Sequence, residues 1–545
     1  MRRLGALSVL TLAAATAVTL WAPLGAGADP GGSSSPQEYV VVYTDGAKAA
    51  ESAIGKAGGR VVGVNDKLRI AKVSTTDRGF VAKARRAAGI SGVVRNHAIG
   101  TAKPGMPHRF AAERPSGVDK SVGARAGKRN KHSKKSTEPL SNLQWDMAMM
   151  DVDKAHKRAT GRGVDVGIID TGIDASHPDI APNFNAALSR NFTTDIPSVD
   201  GPCEVEPDGS CEDPANVDES GHGTHVAGIV AAADTGIGIS GVAPEATLVN
   251  LRAGQDSGYF FFFETVAAIT YAADNGIDVV NMSFYTDPWL FNCRANPADS
   301  PEQQAEQRAI IAGMRRALNY AHNNGVTLLG ALGNANQDLG KPPVDNSSPD
   351  YPEGTAYPRT IDNDTCLDLP VEGPHVIGVS AVGPSGNRSF YSNYGVEQIS
   401  VAAPGGATTD GSSSSITNAI LSTYPLKVLQ GLGRVDANGE INPAFADRVF
   451  KSCTKAGVCG YYTYLQGTSM ASPHAAGVAA LIASRFGEFD REHGGKTMKP
   501  NAVERKLLNS AAERPCPAAT PACEGTAEFN GFYGNGIVDA YRAVR

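Results

Sequence analysis

Long apolar runs are scarce in this 545-residue sequence. After one stretch from about Leu4 to Leu24, none approaches the roughly eighteen uninterrupted apolar residues that a membrane span needs, so no later membrane anchor is expected. No internal repeat is visible, which excludes a repeat array. The pattern H-E-x-x-H is absent, and His222 and His225 lie one turn apart with no third ligand nearby, so a zinc site is not expected. Positive charge is sparse beyond Leu140. Up to that point the chain carries 23 Lys and Arg against 9 Asp and Glu, and the remainder carries 27 against 47, a formal charge of −20. Such a surface argues against anionic polymers as partners. The basic stretch at 101–138, which includes GKRNKHSKK, lacks interleaved aromatics; it reads as a solvated, protease-accessible tether and not as a nucleic-acid surface.

The amino terminus does carry an export signal. Arg2 and Arg3 precede the apolar stretch, and Ala26-Gly27-Ala28 forms an A-x-A cleavage site before Asp29, so residues 1–28 read as a secretory signal peptide. The two arginines lack a fuller twin-arginine pattern, which favours the general secretory route. Cysteine usage agrees, with eight in all. Connectivity is not deducible from sequence, but short loops favour Cys203 with Cys211, Cys453 with Cys459 and Cys516 with Cys523, leaving Cys293 and Cys366. Disulfides fit an oxidising, extracellular destination.

Residues 37–100 form a unit of their own. EYVVVYTDG reads as a strand, AKAAESAIGKAGG as a helix, RVVGVNDKLRIAKVS as two strands, DRGFVAKARRAAG as a helix and ISGVVRNHAI as a strand. This βαββαβ order predicts a small α+β, ferredoxin-like domain. From 139 to 545 apolar runs (VDVGIID, ATLVNLRA, IDVVNMSF, VTLLGAL, HVIGVSAV, EQISVAAPG) alternate with helical patterns, which predicts an α/β domain with a doubly wound parallel sheet covered on both faces. Inserted loops fall around 197–220, 285–309, 336–374 and 407–465.

Three segments of that larger domain carry chemistry: DTGID from Asp170, GHGTHVAG from Gly221 and GTSMASPHAAG from Gly467. A serine hydroxyl is a poor nucleophile at neutral pH and needs a neighbouring base. His222 suits that task, because imidazole accepts a proton near neutrality and can return it. Asp170, after the apolar run GVDVGIID, lies where α/β sheets expose functional groups and would orient the ring. Ser469 opens a long helical pattern, where free N–H groups favour developing negative charge. Taken alone, Ser469 would be an N-capping serine; with the other two motifs it reads as the nucleophile of an acyl-transfer relay.

The order Asp, His, Ser and the glycine-rich context of each member resemble the subtilisin-like serine proteases, the subtilases. The likeness runs from LQWDMAMMDVDKAH to GNGIVDAYRAV, about three-quarters of the chain. It implies a serine endopeptidase that cuts polypeptides through an acyl-enzyme, with no cofactor required for chemistry. It implies that Asn334, in GNANQD, is the oxyanion-hole donor, and that His225 and His474 are structural. It also implies that 37–100 is an inhibitory propeptide acting on its own catalytic domain in a secreted, autoprocessed precursor. Two rival readings share the scaffold: a catalytically silent binding protein, and a serine hydrolase acting mainly on esters. The protein is expected to be a monomer.

In subtilases a peptide substrate commonly adds as a strand between two enzyme segments. The matching segments here are Leu251 to Tyr259 and Ser283 to Tyr285. The second often reads SLGG in the family, whereas this chain has Ser283, Phe284, Tyr285 and Thr286, and the two missing glycines alter the usual open wall. Phe260 to Phe263 read either as an apolar substrate pocket or as a core face. Asp179, in HPDI, matches a carboxylate that binds calcium in many relatives, and DTGIGISGVAP resembles a calcium loop. Thr235, however, stands where an amide ligand is usual, and one carboxylate does not supply the six to eight oxygens that calcium takes.

Overall fold

The computed structural model describes residues 36–96 and 138–545, apart from 198, 204–208, 342–343, 353 and 519. The expected signal peptide at 1–28, the tail of the small domain at 97–100 and the basic stretch at 101–137 lie outside the described residues.

The small domain is built from β1 (Gln37–Tyr43), α1 (Ala47–Lys56), β2 (Arg60–Asn65), β3 (Ile70–Thr75), α2 (Phe80–Arg86) and β4 (Ile90–Arg95). Its antiparallel sheet has the order β2-β3-β1-β4, the ferredoxin-like arrangement expected from the element order. Side chains alternate across β1. Tyr39, Val41 and Tyr43 pack beneath the domain's own helices with Ile54 and Phe80, while Val40 and Val42 join a core shared with the large domain.

The large domain is organised on a seven-stranded sheet of β5 (Asp165–Ile169), β6 (Arg190–Asn191), β7 (Thr247–Arg252), β8 (Val279–Met282), β9 (Thr327–Ala331), β10 (Val376–Val382) and β11 (Val401–Pro404). The order is β11-β10-β9-β8-β5-β7-β6 and every pairing is parallel. Four main helices cover it: α3 (His222–Ala231), α4 (Phe262–Asp274), α5 (Pro301–Asn323) and α6 (Thr468–Phe486). Because strand side chains alternate in direction, both faces must be apolar. Val166, Val279 and Leu329 face α3 and α6; Ile169, Val280 and Leu328 face α4 and α5. The small domain's sheet lies against α4 and α5, with Leu68, Ile70 and Val94 packed among Phe262, Ala309 and Met314.

β12 (Ile420–Thr423), β13 (Val449–Cys453) and β14 (Cys459–Leu465) make an antiparallel sheet inside one insertion, with the order β12-β14-β13. The disulfides are Cys203–Cys211, Cys293–Cys366, Cys453–Cys459 and Cys516–Cys523. Three of them hold inserted loops. No helix among the described residues is long and apolar enough to cross a membrane.

Candidate active site

Asp170 follows β5 directly and is fully buried. Its backbone carbonyl accepts the N–H groups of Ala253 and Gly254, each at 3.1 Å, at the end of β7. Its Oδ1 accepts the Thr171 N–H at 2.8 Å and lies 2.7 Å from Nδ1 of His222, the first residue of α3. The close approach depends on Gly223, where an added Cβ would sit 2.1 Å from the Gly172 carbonyl oxygen. Thr171 is the joint between the two segments: its hydroxyl donates to Asp218 Oδ1 at 3.1 Å and accepts the Gly223 N–H at 3.1 Å. Asp218 also accepts the N–H groups of Ser220, Gly221 and Thr224, so a carboxylate satisfies the open donors at the amino end of α3. Burial pushes its pKa up.

Ser469 is the second residue of α6, a helix buried on all sides for its first four turns. Pro473 in the same helix has no N–H, so it cannot donate to the Ser469 carbonyl one turn back. Ser283 takes over, its hydroxyl donating to Ser469 O at 3.1 Å, and Asn281 Nδ2 in turn donates to Ser283 Oγ at 2.9 Å. Ser469 Oγ lies 3.3 Å from the Ser283 carbonyl. Asn334 is fixed from the same helix, because its Oδ1 accepts from both the N–H and the hydroxyl of Thr468, at 2.9 and 3.0 Å. That pairing orients the amide so that Nδ2 is turned away from Thr468. Gly333 precedes it with φ of 98°, and a Cβ there would meet Asn393 Nδ2 at 2.5 Å.

Asp170 leaves β5, Ser283 leaves β8 and Asn334 leaves β9, three neighbouring strands of the sheet. The crevice outside the carboxyl ends of such strands is where open α/β sheets bind ligands. The model of the subtilase family matches residues 161–536, more than two-thirds of the sequence. The chain belongs to the subtilase family. Subtilisin DY of Bacillus licheniformis is 29% identical over 370 residues, which are 68% of this chain and 91% of that protein. The major intracellular serine protease of Bacillus subtilis strain 168 is 30% identical over 353 residues, 65% of this chain and 77% of the relative. Among solved structures, that of the epidermin leader peptide processing serine protease from Staphylococcus aureus has a TM-score of 0.62 at 20% identity, covering 94% of this chain and 98% of the other. This subtilase is therefore a subtilisin-like serine endopeptidase, with chemistry that needs no cofactor.

The residues singled out for substrate binding make the following contacts. Ser283 spends its hydroxyl on the Ser469 carbonyl. Phe284 is buried and stacks on Phe260 with ring centroids 4.0 Å apart. Tyr285 is half-buried, its hydroxyl donating to Asp350 Oδ2 at 2.8 Å. The Phe260 to Phe263 run divides among three environments. Phe260 and Phe262 join the core beside the sheet, Phe261 clusters with Tyr259 and Tyr351, and Phe263 approaches Lys72 of the small domain.

Asp179, the possible calcium ligand, is engaged by donors on both oxygens. Tyr462 OH donates to Asp179 Oδ2 at 2.8 Å and the Ile239 N–H at 3.2 Å, and Thr235 donates its hydroxyl to Oδ1. Both oxygens face hydrogen-bond donors, which a cation would repel, so these residues do not fit the metal. A second acidic group, Asp195, Asp213 and Asp256, already holds a cation. Arg252 is fully buried, with its guanidinium 2.7 Å from Asp195, 2.6 Å from Asp213 and 3.0 Å from Asp256. Its Nε donates to the Thr171 carbonyl at 2.8 Å, which ties the 197–220 insertion to the residue after Asp170. Breaking such a buried pair costs about 3–5 kcal/mol.

His225 donates through Nε2 to the Ile420 and Thr463 carbonyls, both 3.2 Å away. Burial pushes its pKa down to about 3, so it is neutral and Nε2 is the donor. His474 contacts Met470 O and Asp146 Oδ2. Sequence reading did not single out Asp218, Asn281, Arg252 or Asp146. Asp218, four residues before His222, had a readable signal as an acid ahead of a helix; the others meet their partners only through the tertiary fold.

Proposed function

We propose that this chain is a secreted endopeptidase in which Ser469 attacks the peptide carbonyl, His222 takes the serine's proton and passes it to the leaving amine, and Asp170 orients the imidazole. Asn334 Nδ2 stabilises the oxyanion. Water then hydrolyses the acyl-enzyme, assisted by the same histidine. The observation that carries this reading is the buried 2.7 Å contact between His222 Nδ1 and Asp170 Oδ1. It fixes which nitrogen bears the ring's proton and leaves Nε2 for the nucleophile. A silent binding protein has no use for a buried pair of this kind beside a serine on a helix amino terminus.

Residues 37–100 act as an intramolecular inhibitory propeptide, and 1–28 direct export. What supports the propeptide role is the shared apolar core with α4 and α5 and the polar contacts around it. Lys72 pairs with the buried Glu264 at 3.1 Å, the Arg95 N–H donates to Glu306 at 2.7 Å, and Arg316 donates to the Tyr43 and Leu68 carbonyls. Four disulfides support an oxidising destination. Amino-terminal sequencing of wild-type and Ser469→Ala protein, produced where no other protease is present, tests self-processing. The wild type is expected to begin beyond Asn96 and the variant to keep residues 37–96 attached. Identical starting residues contradict the proposal.

A further inference from the structure

β9 ends at Ala331, and the chain then turns through 332–337 with Asn334 in its middle. Asn336 in that turn has φ of 54°, a left-handed conformation that a non-glycine residue adopts at a cost, so the turn must be held from outside. Asn393, only 1% exposed, does this. Its Oδ1 accepts the N–H groups of Ala335 and Gln337, each at 3.0 Å. Its Nδ2 donates to the Leu332 carbonyl at 3.0 Å, and its backbone N–H donates to the Gly333 carbonyl at 2.9 Å. One residue thus grips the backbone on both sides of Asn334. The segment around it runs along the same turn: the Tyr391 carbonyl accepts the Asn336 N–H at 2.7 Å, and the Tyr394 N–H donates to the Gln337 carbonyl at 2.9 Å.

Two contacts therefore share the placement of Asn334. Thr468, which donates to Asn334 Oδ1, sets the rotation of the amide; Asn393 sets where the backbone that carries it stands. A donor stabilises an oxyanion only if it is already in place when the charge develops, so a shift of a fraction of an ångström in this backbone weakens it. We propose that Asn393 is a positioning residue for the hydrolytic reaction, holding 332–337 so that Asn334 Nδ2 meets the oxyanion. This rests on the assignment of Ser469 and Asn334 made above. The effect falls on the transition state and not on substrate binding, because the full negative charge develops only as the serine attacks.

Peptide hydrolysis by protein produced from the full chain tests this, with active enzyme counted by fluorophosphonate labelling carried to completion so that misfolded material does not enter kcat. Asn393→Ala is expected to lower kcat by about tenfold to a hundredfold while KM stays within about threefold. A double-mutant cycle with Asn334→Ala separates action through Asn334 from a general loss of packing. Once Asn334 is alanine, Asn393→Ala should cost less than about threefold more. Equal losses in the two backgrounds overturn the proposal, and so does an unchanged kcat in Asn393→Ala. If Asn334→Ala alone leaves kcat unchanged, the oxyanion assignment itself fails and this proposal falls with it. Asn393→Ser keeps a hydroxyl that can accept one of the two N–H groups; it should lose less than the alanine variant, and it carries the cycle if Asn393→Ala does not fold. Hydrogen exchange in Ser469→Ala protein gives a readout independent of turnover. The Ala335 and Gln337 N–H groups should exchange at least about a hundredfold more slowly than in a free peptide; exchange at the free-peptide rate overturns the proposal.

Discussion

Asp278 stands just before β8, where its carboxylate accepts the Asp165 N–H at 2.9 Å. Burial pushes its pKa from 3.8 up to about 7. Between those values the native state holds a proton that the unfolded chain has released, so stability falls as pH rises through the window, and the whole penalty is present above pH 7. Asp278→Asn keeps an acceptor for Asp165 and removes the charge. Its stability relative to wild type is expected to be near zero at pH 4 and to grow toward pH 8, with a ceiling of about 4 kcal/mol. Thermal unfolding across that range checks it; a difference that does not change with pH contradicts it. The buried His177 works in the opposite direction, its pKa pushed down by burial to about 4, so the stability it contributes above about pH 6.5 is lost as pH falls toward 4.

At the level of elements, the contact between the small domain's sheet and helices α4 and α5 decides whether a cleaved propeptide stays bound. Lys72 lies between Glu38 at 3.0 Å and Glu264 at 3.1 Å, and Glu264 also accepts from Asn96. Removing the ammonium leaves the buried Glu264 poorly compensated. In the propeptide reading, Lys72→Ala should release the severed domain on the order of tenfold to a hundredfold faster, followed by size-exclusion chromatography of freshly processed protein. Unchanged co-elution would count against the interface. The strands of this sheet and, apart from the two polar residues of β6, of the parallel sheet were legible because their apolar runs are short and bounded by turns; Val166 and Gly167 already show the alternation that puts one face toward α6 and the other toward α4. The fates of Phe284 and Asp179 were not. Phe284 turns inward because Phe260, 24 positions earlier, offers a flat ring, and Asp179 is surrounded by donors because Tyr462 arrives from a distant insertion. Neither approach leaves a trace in local periodicity. Asp170, His222 and Ser469 were readable for the converse reason: each lies at an element boundary whose glycines and polar residues have no other local explanation.

At the scale of the whole molecule, buried charge ties the insertions to the sheet. Only 19% of residues are Asp, Glu, Lys or Arg, yet among the described residues two arginines are fully buried, each tying down insertions. Arg252 gathers Asp195, Asp213 and Asp256, and Arg359 gathers Asp299 and Asp345. Arg252 also reaches the Thr171 carbonyl, so insertions outside the sheet brace the residues that the proposed relay uses. The claim on which the functional account turns is that Ser469 is a nucleophile made reactive by His222. Labelling with a fluorophosphonate, followed by peptide mapping, tests it most directly. The account predicts one adduct on Ser469 in the processed wild type, and none in Ser469→Ala or His222→Ala; an adduct on another serine, or undiminished labelling of Ser469 in His222→Ala, would contradict it.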